Sequence, residues 1–124
     1  MKQFKDIEVN LLDLMAVLGE PTPISDAETG YYWYRYERSD GYALTLSFSI
    51  YKRIVGVTLQ AASGVGCGSV SLTMCSAIRV LDAKRGLIEI LSVERGARCV
   101  IGLEVDDILA VEIDDPRELN LPNR

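Results

Sequence analysis

The chain has 124 residues and a mass of 13.7 kDa, a one-domain length at which ~65–70% of the unfolded surface can be buried without covalent staples. It is 48% hydrophobic and 25% charged, and it contains no histidine, which excludes histidine metal sites, Ser-His-Asp triads and Cys-His pairs together. The net charge of −5 argues against binding driven by phosphate neutralisation or by anionic membranes.

In chain order, Phe4, Ile7, Leu11, Leu14, Met15 and Leu18 recur at steps of three and four, which predicts a helix over residues 4–18. Gly19 and Pro21 supply its stop, since glycine accepts a left-handed cap and proline cannot continue the ladder. A loop follows. From Tyr31 the period changes to two. Tyr31–Glu37 reads as an aromatic strand, and Ser39-Asp40-Gly41 suits a hairpin turn. On the returning strand Leu44, Leu46, Phe48 and Ile50 alternate with Thr45, Ser47 and Ser49, so one face is apolar and the other carries small polar groups. Lys52-Arg53 turns the chain into Ile54–Gln60, where Val55, Val57 and Leu59 share a face.

Residues 69–81 fit two patterns. A strand sets Val70, Leu72, Met74, Ile78 and Val80 on one side; a helix capped by Ser69 gathers Val70, Met74, Ala77, Ile78 and Leu81. The alternation accommodates more residues and predicts a strand. Asp82–Gly86 is a turn, Leu87–Glu94 and Cys99–Val105 flank Arg95-Gly96 as a hairpin, and Ile108–Ile113 is a last short strand. The sum is an α+β domain over residues 1–115 with a polar tail at 116–124. An N-terminal helix lies on a mainly antiparallel meander sheet of six or seven strands, leaving the polar face of strand 44–50 for water or a partner.

Gly64-Val65-Gly66-Cys67-Gly68-Ser69 has the glycines of a phosphate loop but neither its lysine nor dinucleotide-fingerprint spacing, and reads as a strand connection. Cys67, Cys75 and Cys99 are odd in number, without a C-x-x-C, and suit core positions in a reducing compartment. No metal or cofactor site is expected. Asp106-Asp107 and Asp114-Asp115 are adjacent pairs, which a strand would send to opposite faces. The N-terminus has no continuous apolar run of an export signal, so a cytoplasmic location is expected.

Two features point to a partner. Removing residues 104–118, with seven acids and one base, from totals of 18 acids and 13 bases leaves 11 acids and 12 bases. The whole negative excess thus sits near the C-terminus, in Glu104, Asp106, Asp107, Glu112, Asp114, Asp115 and Glu118. The second feature is the run Tyr31-Tyr32-Trp33-Tyr34-Arg35-Tyr36, with five of nine aromatic residues. Tyr31, Trp33 and Arg35 share one strand face and Tyr32, Tyr34 and Tyr36 the other; one set must point outward unless both faces are covered.

The helix end Leu18-Gly19-Glu20-Pro21, the aromatic strand, Leu44-Thr45-Leu46-Ser47-Phe48-Ser49 and Ile54-Val55-Gly56-Val57-Thr58-Leu59 together resemble small bacterial immunity proteins of contact-dependent growth inhibition and other polymorphic toxin systems. The resemblance spans about half the chain. It implies a non-catalytic cytoplasmic protein that neutralises one cognate toxin domain, often a nuclease. Glu104, Asp106, Asp107, Glu112, Asp114 and Asp115 would steer a basic partner, with Tyr31, Trp33 and Arg35 as anchors. Two other classes stay open. A secretion-effector chaperone needs an apolar groove and usually a dimer; a small-ligand or enzymatic domain needs a pocket with convergent polar groups.

Overall fold

The computed structural model describes residues 6–23, 25–26, 28–38, 41–61, 66–93, 97–105 and 108–114, and their side chains except at 66–67, 104–105 and 108–114. In chain order these form β1 (Glu8–Val9), α1 (Leu11–Leu18), β2 (Tyr31–Glu37), β3 (Ala43–Ser49) and β4 (Ile54–Gln60). Then come β5 (Gly66–Leu72), β6 (Cys75–Asp82), β7 (Leu87–Ser92), β8 (Arg98–Val105) and β9 (Ile108–Asp114).

The N-terminal helix is shorter than its periodicity predicts. It starts at Leu11 rather than at residue 4, because Asn10 is its N-cap: the Asn10 Oδ1 accepts from the Leu12 and Asp13 amides at 3.0 and 3.2 Å. Such a cap is worth about 1 kcal/mol. The residues before it are extended instead. Glu8 and Val9 pair in parallel with Ala77 and Ile78, and the Ile7 amide donates to the Ile50 carbonyl. Ile7 is therefore buried just ahead of β1, outside the helix, while Phe4 lies outside the described residues. The stop holds as expected: Gly19 has φ +85° and donates to Met15 O.

The expected single meander of six or seven strands is instead two sheets. One has the order β2-β3-β4-β5 and the other β1-β6-β7-β8-β9, so eight strands of six to eight residues are joined by the two-residue β1. All pairings are antiparallel apart from β1 with β6. Buried side chains of both sheets, among them Tyr34, Leu46, Phe48, Val57, Ile78, Ile90 and Ile101, form one core with Ile7, Leu14 and Leu18. The helix supplements this core where a single sheet would have needed it as the whole cover.

The division into two sheets lies inside the segment read as one strand. Residues 69–81 are extended, not helical, but the chain leaves β5 at Leu72 and enters β6 at Cys75. Met74 between them has φ +52°. A register shift between Cys75 and Ala77 then resets the alternation, which is why Cys75, Ala77 and Ile78 are all buried while Met74 is exposed. The corner is densely bonded. The Arg53 carbonyl accepts from the Cys75 amide, Arg53 Nε donates to the Cys75 carbonyl, and Ser92 Oγ donates to Thr73 O at 2.7 Å.

The glycine-rich stretch is strand where it is described: Gly66 and Gly68 stand opposite Gln60 and Leu59 across a register shift. Gly86, at φ +65°, closes the β6–β7 turn, and a Cβ there would meet Leu103 Cβ at 2.7 Å. Only glycine fits both constraints.

Cys75 and Cys99 are free thiols with no exposed surface, and Cys67 has no described side chain. Burial pushes both thiols up to about 11, the nearby Arg53 guanidinium only partly opposing it at Cys75. A neutral buried thiol is favoured in the folded chain, so this stabilisation is complete below the unfolded thiol's pKa. It is lost as pH rises from about 9 through 11, on the order of 2 kcal/mol for each group. In a Cys67→Ser background, urea midpoints should hold to pH 8.5 and fall steeply by pH 11, with both thiols refractory to alkylation at pH 7.5 until urea unfolds the chain. Fast native-state labelling would contradict this burial.

Candidate interaction surfaces

The aromatic strand resolves its two faces by packing. Tyr34 is 1% exposed and stacks on Phe48 with ring centres 6.1 Å apart; Tyr32 stacks on the same ring at 5.5 Å. Both belong to the core side with Tyr36, and burial raises the Tyr34 phenol above its ordinary pKa. Tyr31, Trp33 and Arg35 therefore take the outer face. Tyr31 and Arg35 are exposed, Trp33 is half-buried, and the Tyr31 and Trp33 rings lie 6.0 Å apart.

The segment before β2 fixes this face. The Thr22 amide donates to Trp33 O at 2.7 Å, Ser25 Oγ accepts from the Trp33 amide at 2.8 Å, and Asp26 bridges to Tyr31. That segment also occupies the outer edge of β2. Arg35 is held by Glu37 of its own strand at 2.8 Å and by Gln60 Oε1 of β4 at 3.1 Å.

Beside the aromatic pair the sheet is open. The register aligns Trp33, Ser47, Gly56 and Ser71 in one row, and Tyr31, Ser49 and Ile54 in the next. Small residues make the floor of a trough of about 490 Å³, with Thr29, Tyr31, Lys52 and Ile54 around it. Gly56 keeps the floor low, since a Cβ there would come within 3.1 Å of Ser47 Oγ. The alternation in strand 44–50 announces this polar face. It does not announce Lys52 or Ile54, whose side chains reach the trough because the β3–β4 turn brings them back beside Tyr31.

The acidic stretch lies on the other sheet, along its final strand pair. Val105 pairs with Ile108 at one end, so Glu104 belongs to that end. Glu112 and Asp114 stand opposite Val100 and Arg98 toward the other end. These three acids are thus spread along the hairpin rather than gathered at one point. Asp106, Asp107, Asp115 and Glu118 lie outside the described residues, as does the expected tail at 116–124. Arg38, just past β2, donates through Nη1 to the Leu103 carbonyl at 3.2 Å, next to Glu104 in the chain, and so links the two surfaces. Arg98 on β8 is ion-paired with Glu89 on β7.

Among the described residues no three Cys, Asp or Glu side chains converge as a metal would require, and no helix is long and apolar enough to cross a membrane.

No family model and no curated protein matches the chain. Among solved structures it is similar to a chain of a contact-dependent growth inhibition toxin–immunity protein complex from Klebsiella pneumoniae 342, at a TM-score of 0.71 and 12% identity. The match covers 90% of this chain and 98% of that one. At that identity the shared property is the fold.

The placement of Trp33, the one tryptophan, is directly measurable. Its emission should be red-shifted relative to a core tryptophan and should be quenched by acrylamide in the native state. A blue-shifted, quencher-resistant emission would place the ring in the core and remove the outward aromatic face.

Proposed function

We propose that this chain is an immunity protein: a non-catalytic inhibitor that binds one toxin domain of a contact-dependent growth inhibition system, stoichiometrically, in the cytoplasm of the cell that makes both. The fold likeness to a chain of such a complex, over 90% of this chain, carries the reading. The immunity side of the pair is favoured by the resemblance in the sequence and by a composition without histidine.

The partner is proposed to be a basic domain, a nuclease, because the active site of such an enzyme must attract phosphates. An acidic hairpin then complements it. Glu104, Asp106, Asp107, Glu112, Asp114 and Asp115 steer the encounter, and the placement of Glu104 near one end of the β8–β9 pair with Glu112 and Asp114 toward the other suits a long basic cleft better than a single basic spot. Tyr31, Trp33 and Arg35 are the proposed anchors. Tyr, Trp and Arg carry most of the energy in such interfaces, and Arg35 is already ordered, so little freedom is lost when it is covered.

Co-expression with the C-terminal domain of the neighbouring toxin gene tests the role. The toxin domain alone should arrest growth; this chain alone should not; together they should grow normally and co-purify in equal amounts. Arrest by this chain alone would assign it to the toxin side, and arrest despite co-expression would end the immunity reading.

The division of labour between steering and anchoring is separable by kinetics. Replacing the six steering acids together by their amides should slow association at least about tenfold at low salt and flatten its salt dependence, with dissociation little changed. Trp33→Ala should instead speed dissociation by ~30-fold or more, the effect of losing a central anchor worth about 2 kcal/mol. Association that is indifferent to the six acids would remove the electrostatic half of the mechanism.

A further inference from the structure

The sheet edges are treated unequally. The outer edge of β2 is occupied by the segment that bonds to Trp33 and Tyr31. The edge of β6 is partly covered by β1, and β9 carries Glu112 and Asp114 in its sequence. An edge strand normally carries such a cover or a charge, because its unpaired amides and carbonyls template pairing with another chain. β5 has neither. Among the described residues its one strand neighbour is β4, and Gly66–Leu72 contains no charged residue and no proline.

The regular part of β5 is Gly68–Leu72, which pairs with β4 without a register shift and is centred on Val70. Beside it lies an open cavity of about 210 Å³ lined by Val57, Leu59, Gly68, Ser69 and Val70. The cavity sits where Gly68 contributes no side chain.

We propose that β5 pairs antiparallel with β5 of a second copy about a two-fold axis at Val70, joining the two four-stranded sheets into one. That register is self-complementary. It sets Ser69 opposite Ser71 of the second copy on the outer face, and Val70 opposite Val70 on the core side. Gly68 then faces the second copy's Leu72, a large side chain over the position that has none and beside the cavity. The Ser69–Ser71 and Gly68–Leu72 pairs each occur twice and Val70–Val70 once, on the axis, as an isologous contact requires. A chain of net charge −5 repels its own copies, and this uncharged strand is where two copies meet without opposing like charges. Five paired residues a side make an interface well below the ~1,200 Å² of stable complexes, so the dimer is weak and concentration-dependent. The inference is independent of the toxin-binding role.

Sedimentation of the full chain from about 10 to about 500 μM should show the average mass climbing from 13.7 kDa toward twice that value. Ser69→Lys/Ser71→Lys places lysine opposite lysine twice while leaving the core untouched. It should weaken association at least tenfold with an unchanged thermal melt. Mixing that variant with Ser69→Glu/Ser71→Glu should restore a dimer made of one copy of each, because the register pairs position 69 with 71. A chain monomeric at every concentration, a lysine variant that associates as the parent does, or a mixture that fails to recombine would each overturn the proposal.

Discussion

The two-residue passage from β5 to β6 determines how the rest of the molecule is arranged. Two sheets can bury their apolar faces against each other only if the chain crosses between them, and a crossing interrupts the hydrogen-bond ladders of both. Here Thr73 and Met74 lie between the ladders, and their carbonyls are satisfied by bonds that belong to neither ladder. Thr73 O accepts from Ser92 Oγ, and Met74 O from the Val93 amide. Arg53, whose own φ is +61°, bonds the first residue of β6 through both backbone and guanidinium. Two non-glycine residues in the left-handed region cost of order 1–3 kcal/mol each, and such conformations persist where the surroundings over-determine them. The β3–β4 turn, the β5–β6 passage and the end of β7 supply that over-determination together. The same geometry orients the trough, because Ile54 follows Arg53 directly and Lys52 precedes it.

This corner also separates what was legible in the sequence from what was not. Alternation over 69–81 identifies extended chain correctly, but a period of two carries no mark for a change of sheet at Met74. Only the exposed methionine within an apolar row hints that parity is reset there. The turn chemistry was more readable: Asp82 Oδ1 accepts from the Lys84 and Arg85 amides, and Gly86 takes the left-handed position, as Asp…Gly predicts. At the N-terminus a helical period ran across Asn10 because Ile7 and Leu11 are both core residues. A cap at Asn10 and strand pairing with β6 decide the boundary, and the second of these is tertiary and invisible to a local pattern.

For the surfaces, face parity was legible and position was not. Sequence parity puts Tyr31, Trp33 and Arg35 on one face of β2, and the packing of Tyr32 and Tyr34 on Phe48 decides that this face is the outer one. The acids illustrate the opposite case. Closeness in sequence does not give spacing on the strands: the β8–β9 pairing sets Glu104 near one end and Asp114 opposite Arg98 near the other. A charge count gives the sign of a surface; pairing register gives its shape.

A likeness of fold at 12% identity narrows where specificity can reside. The features that preserve a fold are the buried rows and the corner that lets two sheets share them, and these tolerate replacement by other apolar residues of similar volume. The remainder is free of that constraint, and on the proposed immunity reading it would set partner choice: the outer face of β2–β5, the composition of β8–β9 and the treatment of each edge. Those positions carry little of the folding energy, so they can change without loss of the scaffold. A binder that must discriminate one partner from its relatives needs this separation. In the proposed binding mode such contacts would sit on strands whose inner faces are already fixed: Trp33 is held on the outer face of β2 while Tyr34, its neighbour in the chain, holds the core.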